Sequence, residues 1–100
     1  MTNSVNLYHL PSGDRSPELV NAVIEVPGGS SNKYEYDHEL GVFRLDRVLY
    51  SPMHYPGEYG FIPSTYAEDD DPLDILVLMN RPTFTGAVVR ARPLGFLEMS

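Results

Sequence analysis

Residues 33–50 read KYEYDHELGVFRLDRVLY, and this stretch indicates the class of fold. Its two halves, residues 33–38 and 42–50, are rich in aromatic and β-branched residues, and a short turn at residues 39–41 separates them. Apolar and polar residues alternate in residues 42–47, which is the period of a β-strand with one buried face. The stretch therefore predicts a β-hairpin.

The sequence on both sides of this hairpin predicts further strands. Residues 19–26 are rich in β-branched side chains and end at a Pro-Gly-Gly turn, as a strand followed by a loop does. Prolines and glycines interrupt residues 52–63, which predicts an ordered loop with one brief strand. Residues 75–79 predict a short buried strand, and residues 87–97 a longer one, bent at Pro93 or Gly95.

These segments together indicate a mainly β protein. No segment has a sustained helical period, and no internal repeat is visible. Residues 1–18 lack periodicity and predict an irregular lead-in. Five or so strands over residues 19–100 are compatible with a small, closed or nearly closed barrel.

The composition limits the classes of function. The chain has 100 residues, no cysteine, and 14 acidic against 7 basic residues, for a net charge of −7. This balance opposes broad contact with nucleic acids and anionic membranes, which are polyanions. No apolar run approaches the ~20 residues that cross a bilayer. We expect a cytoplasmic protein that binds neither nucleic acid nor membrane.

Five carboxylates within seven residues form the most distinctive feature of the chain: Glu68, Asp69, Asp70, Asp71 and Asp74. On an extended chain Asp69 and Asp71 point to one side, and the turn at Pro72 can bring Asp74 towards them. Converging carboxylates repel one another unless a cation neutralises them, and hard divalent ions prefer oxygen ligands. The cluster therefore predicts a dication site.

An EF-hand loop and a solvated acidic loop are the other interpretations of this cluster. An EF-hand loop is excluded, because Leu73 would occupy its fifth position and Asp74 the place of its glycine. A solvated acidic loop remains the alternative, although the step from Pro72 into an apolar strand disfavours it. Glu68 and Asp70 are expected to point to solvent.

Basic and phenolic side chains offer the complementary half of a metal–phosphate site. Arg47 is expected to share the apolar face of Phe43 and Leu45, where its permanent charge needs an anion. The alternative is a structural ion pair with Asp46 or a more distant acid. A cross-strand ion pair is likewise the alternative for Lys33.

Glu35 is expected on the same face as Lys33. Tyr55 and Tyr59 lie four residues apart in a loop rich in proline and glycine, where a phenol can donate a hydrogen bond to a phosphate oxygen. Packing is the alternative role for both tyrosines.

Residues 69–75, DDDPLDI, resemble the signature of family I soluble inorganic pyrophosphatases: Asp, a small or polar residue, Asp, Pro, an apolar residue, Asp and another apolar residue. Other segments resemble the family in the same order, and the resemblance covers residues 19–97. These segments are residues 24–27 (IEVP), 33–35 (KYE), 45–47 (LDR), 55–60 (YPGEYG) and 90–95 (RARPLG).

The resemblance implies an OB-like, five-stranded barrel that hydrolyses pyrophosphate to two orthophosphates with several Mg²⁺ ions, manganese or zinc being alternatives. Each matching position then has an implied role. Asp69 and Asp74 match metal ligands, Asp71 the carboxylate that orients and deprotonates the attacking water, Lys33, Arg47 and Tyr59 groups that hold phosphate, and Glu25, Glu35 and Tyr55 other residues of the cavity. The residues themselves do not distinguish Asp71 from Asp69 as the base.

Members of the family continue with further aspartates and a lysine, a Tyr-Lys pair and C-terminal helices, which residues 1–100 lack. We therefore expect this chain to hold the first part of the barrel, with incomplete metal ligation and little or no turnover alone. The full-length form is expected to be a homo-oligomer. A non-catalytic OB-like binding module and a cation-binding fragment are the alternative functions.

Overall fold

The computed structural model describes residues 6–48, 57–65, 72–79 and 81–93. These residues contain a short 3-10 helix, Leu7–His9, and no α-helix. The described strands are β1 (Val20–Val26), β2 (Asn32–Asp37), β3 (Val42–Val48), β4 (Gly57–Ile62), β5 (Leu73–Leu78) and β6 (Val88–Ala91). The prediction of a mainly β protein is confirmed. In this part of the chain no helix is long and apolar enough to cross a membrane.

The strands form two antiparallel sheets. The larger sheet has the order β5-β4-β1-β6, and β2 and β3 form the predicted hairpin. Within the described ranges the two sheets are not joined into a closed barrel. The brief strand predicted within residues 52–63 is β4, which lies between β1 and β5 rather than at an edge.

Two glycines explain how β4 fits between its neighbours. A Cβ atom added at Gly60 would lie 1.9 Å from the Val23 carbonyl oxygen of β1. One added at Gly57 would lie 2.1 Å from the Val77 carbonyl oxygen of β5. The glycines that weaken the strand pattern in the sequence are therefore required by the close approach of three backbones.

Strand β1 lies at the centre of the core and is buried on both faces. Ala22 and Ile24 belong to one buried apolar cluster, with Val77 and Ala87. Because successive side chains alternate, Val23 faces the other way, into a second cluster with Tyr36 of β2 and Phe61 of β4. The second cluster places the hairpin against the larger sheet.

The described part of the lead-in covers the second cluster. The Leu7 N–H donates a hydrogen bond of 2.8 Å to the Tyr36 hydroxyl. The ring of Tyr8 packs against those of Tyr36 and Phe61, with centroids 5.3 and 5.1 Å apart. The Ser64 N–H donates to the Tyr8 carbonyl oxygen at 2.8 Å. From residue 6 to residue 18 this segment has no regular secondary structure apart from the short 3-10 helix, and it packs on the core.

We predict that Gly60→Ala destabilises the chain by about 3 kcal/mol or more, because the added methyl group must push two strands apart. Gly28→Ala is the matched control, since its Cβ would meet no atom closer than 3.4 Å. Urea denaturation followed by circular dichroism measures both. Equal stabilities of the two variants would contradict the close approach.

Candidate functional site

A β-bulge at Glu25 links the two sheets. Ile24 pairs with Gly60 and Val26 with Tyr59, so Glu25 is an extra residue of β1 with no partner in that register. Its carboxylate accepts a hydrogen bond of 2.8 Å from the Tyr36 N–H of β2. Bulges re-aim side chains and are frequent beside active sites. The bulge therefore directs a carboxylate to the junction between the sheet and the hairpin.

Several charged groups converge around Glu25. Burial is the main cause that raises the pKa of Glu25, and the hydrogen bond from the Tyr36 N–H opposes it. Repulsion by Asp74 and Glu35 raises this pKa further, whereas the Lys33 ammonium lowers it. Strands β2 and β5 thus bring two carboxylates and one ammonium within electrostatic reach of the Glu25 carboxylate of β1.

Asp46 holds the two predicted phosphate-binding cations together. Its Oδ2 lies 3.6 Å from Lys33 Nζ and 3.5 Å from Arg47 Nε. The side chains of Lys33 and Arg47 are 46% and 65% exposed, so both remain accessible to a ligand from solvent. Exposed ion pairs contribute at most about 1 kcal/mol. The ion pair of Arg47 with Asp46 is thus present, as the alternative interpretation of Arg47 predicted. Because this pair is weak, a phosphate anion can still compete for the guanidinium.

The expected face of Arg47 was wrong. Tyr34 pairs with Leu45 and Lys33 with Arg47, which leaves Asp46 as the extra residue of a second bulge. Because one inserted residue reverses the alternation, Arg47 shares the face of Lys33 and not that of Leu45. Arg47 thus stands opposite Lys33 across the hairpin.

The sequence predicted that Tyr59 lies in a loop, and this was wrong: Tyr59 lies in strand β4. Its backbone stands between Val26 of β1 and Leu76 of β5, and the residue is half-buried. The position is adjacent to the Glu25 bulge. Tyr55 lies outside the described residues.

The predicted dication cluster is described only in part. Asp74 is exposed and lies within β5, opposite Phe61 of β4. Asp69 and Asp71 fall outside the described ranges, so their convergence with Asp74 stays a prediction. Among the residues that are described, no three His, Asp or Glu side chains form a group that could hold a metal ion.

Sequence reasoning missed one carboxylate near this site. Glu58 of β4 is only 1% exposed. Its Oε2 accepts hydrogen bonds from the Gly28 N–H at 2.7 Å and the Thr83 N–H at 2.9 Å, and its Oε1 accepts one from the Thr83 hydroxyl. The sequence signal for Glu58 is a carboxylate in a strand that lies between two other strands. Such a carboxylate is buried, and a buried charge needs dedicated hydrogen-bond partners.

The raised pKa of Glu25 predicts a specific dependence of stability on pH. The unfolded chain ionises first as the pH rises, because its glutamate has the lower pKa. The stability contributed by protonated Glu25 is therefore complete below the ordinary pKa and is lost as the pH rises through the folded value. Glu25→Gln stays neutral and keeps an oxygen acceptor for the Tyr36 N–H. At pH 7 without divalent ions, we expect this variant to denature at a higher temperature than the parent chain.

This advantage of Glu25→Gln should disappear below about pH 4, where both forms are neutral. Glu39→Gln, at an exposed position in the hairpin turn, is the matched control and should leave the pH profile nearly unchanged. Thermal denaturation between pH 3 and pH 8 measures all three chains. A Glu25→Gln chain that is less stable than the parent at pH 7 would refute the stated electrostatics.

The amino-acid sequence of this chain is similar to those of known proteins of one family. The family model described as "Inorganic pyrophosphatase" matches residues 22–100. The inorganic pyrophosphatase of Thermus thermophilus is 61% identical over 94 residues, covering 94% of this chain and 54% of the relative. That of Synechocystis is 59% identical over 95 residues, covering 95% and 56%. The chain spans about half the length of the curated relatives it matches.

Solved structures give the same result. The crystal structure of inorganic pyrophosphatase from Thermus thermophilus matches with a TM-score of 0.81 at 61% identity, covering 88% of this chain and 51% of that one. The enzyme from Ehrlichia chaffeensis matches with a TM-score of 0.77 at 47% identity, covering 84% and 55%. On the family match, the sequence identities and the common fold, this chain belongs to the inorganic pyrophosphatase family.

Proposed function

We propose that this chain serves the hydrolysis of pyrophosphate to two orthophosphates. The observation that carries the proposal is the convergence of the Glu25, Glu35 and Asp74 carboxylates with Lys33, which shares Asp46 with Arg47. Acids suited to dications and bases suited to phosphate thus lie side by side. The names of the relatives, inorganic pyrophosphatase, support the same reaction.

The proposed ligands of the magnesium ions are all carboxylates. Asp69, Asp71 and Asp74 would hold the ions, with manganese or zinc as alternatives, and all their donors are the hard oxygens that such ions prefer. The repulsion that Asp74 and Glu35 exert on Glu25 supports this assignment, because a bound cation would relieve it. Bound magnesium would supply a water of lowered pKa and would neutralise phosphate charge.

The other groups would bind and orient pyrophosphate. Lys33 and Arg47 lie on one face of the hairpin and would exchange their exposed ion pairs with Asp46 for phosphate oxygens. The Tyr59 hydroxyl would donate a further hydrogen bond. Asp71 would orient the attacking water and accept its proton. Homo-oligomer formation by the full-length protein stays a prediction.

The first test measures magnesium-dependent phosphate release. Because this chain covers about half of its relatives, the assay uses residues 1–100 followed by the half of the Thermus thermophilus relative that this chain does not match. Residues 1–100 alone serve as the comparison. We expect Asp71→Asn to lower kcat by about 100-fold or more, as the loss of a general base does.

Asp70→Asn is the matched control. Asp70 is the neighbour of Asp71 in the sequence and its carboxylate is expected to point to solvent, so the change should alter kcat by less than about threefold. Equal losses in the two variants would contradict the role of Asp71. Magnesium binding by the parent fusion without phosphate release would favour a cation-binding module and contradict catalysis.

The second test concerns the hairpin cations. Arg47→Gln should lower kcat/KM of the same fusion about 10- to 100-fold, because hydrogen bonds to charged groups contribute ~1.5–3 kcal/mol. Arg44→Gln is the control: Arg44 is equally exposed and forms an ion pair with Asp37 at 3.4 Å. The assignment of Arg47 fails if the two variants have the same kinetics.

A further inference from the structure

The carboxylate of Glu58 has no part in the function proposed above, although it is among the most buried polar groups of the described chain. It accepts hydrogen bonds from two segments that are distant in sequence, the turn at Gly28 and the loop at Thr83. We propose that Glu58 is a positioning residue, which fixes the Glu25 bulge by holding the backbone on both of its sides.

The loop at Thr83 is fastened directly to the bulge. The Thr85 hydroxyl donates a hydrogen bond of 3.0 Å to the Glu25 carbonyl oxygen. The Gly86 N–H donates to the Ile24 carbonyl oxygen at 2.8 Å, and the Ile24 N–H donates to the Ala87 carbonyl oxygen at 2.9 Å. Residues 85–87 therefore hold the backbone at and before Glu25. Glu58 anchors the start of this loop through Thr83.

The turn at Gly28 holds the other side. Gly28 lies two residues after Val26, whose register partner is Tyr59. Its N–H donates to Glu58 Oε2 at 2.7 Å, so the same carboxylate bridges the turn after the bulge and the loop beside it. Because side chains alternate along β4, Glu58 lies on the opposite face from Tyr59. It can thus fix the position of the site from behind without contacting a ligand there.

The donors around Glu58 determine which substitutions are informative. A methionine has similar length but leaves the Gly28 and Thr83 N–H groups without an acceptor in a buried place. A glutamine keeps one oxygen for both N–H groups, and its amide can donate to the Thr83 hydroxyl. Glu58→Gln is therefore the conservative variant and Glu58→Met the disruptive one. Thr83→Val removes only the hydroxyl hydrogen bond.

The direct readout is the hydrogen exchange of the Tyr36 amide, which donates to the Glu25 carboxylate on the far side of the bulge. Measured by NMR on the full chain, Glu58→Met should speed this exchange about tenfold or more relative to the other slowly exchanging amides of the β2–β3 hairpin. Glu58→Gln should stay within about threefold of the parent, and Thr83→Val should fall between the two.

A second readout is kinetic and rests on the proposed function. In the fusion with the Thermus thermophilus half, Glu58→Met should lower kcat about tenfold, because small displacements of positioned groups are costly, and Glu58→Gln should restore it. If the parent fusion is inactive while the Tyr36 amide responds as stated, the proposed function fails and the positioning role of Glu58 stands.

The proposal is overturned if a folded Glu58→Met chain leaves the Tyr36 exchange unchanged. It is equally overturned if all hairpin amides accelerate together, since Glu58 would then contribute only to global stability. Should Glu58→Met fail to fold, Thr83→Val decides the matter: selective acceleration of the Tyr36 amide supports the proposal, and its absence overturns it.

Discussion

The hydrogen bond from the Tyr36 N–H to the Glu25 carboxylate joins the hairpin to the four-stranded sheet, and the arrangement of charges depends on it. A carboxylate at this junction is partly removed from water and stands near Asp74 and Glu35, which raises its pKa. Such a group is costly unless it has a dedicated donor. The bulge turns the Glu25 carboxylate towards such a donor, the Tyr36 N–H of β2, and places it within electrostatic reach of Glu35, Asp74 and Lys33. A single backbone irregularity therefore connects the fold with the chemistry.

The rest of the sheet is built so that this irregularity can exist. Gly57 and Gly60 let β4 approach β5 and β1 closely, which brings Tyr59 opposite Val26. Glu58, between these glycines, points to the other face and binds the two segments that flank the bulge. Backbone approach and buried hydrogen bonds thus replace bulky apolar packing at this place. The second bulge, at Asp46, also directs a side chain, since it turns Arg47 to the face of Lys33.

The sequence predicted the elements well and their irregularities poorly. β-Branched side chains before a Pro-Gly-Gly turn identified β1 to within one residue at each end, and alternation in residues 42–47 identified β3 of the hairpin. It misplaced Arg47, because an inserted residue reverses every later side chain and Asp46 carries no local signal of a bulge. Glu58 was missed because its donors come from the Gly28 and Thr83 segments, which only the tertiary fold brings together. The similarity to inorganic pyrophosphatases, by contrast, was recognisable from DDDPLDI, since side-chain chemistry is written directly in the sequence.

We propose above that Asp74, with Asp69 and Asp71, binds dications beside the Glu25 bulge, and the rest of the function depends on this binding. Paramagnetic broadening by Mn²⁺ tests it most directly, with the ion added in substoichiometric amounts to the isotopically labelled chain. The amide signals around Glu25, Glu35 and Asp74 should broaden first and together. Broadening that instead begins at the exposed acids Asp14 and Glu18, and leaves the bulge untouched, would contradict it.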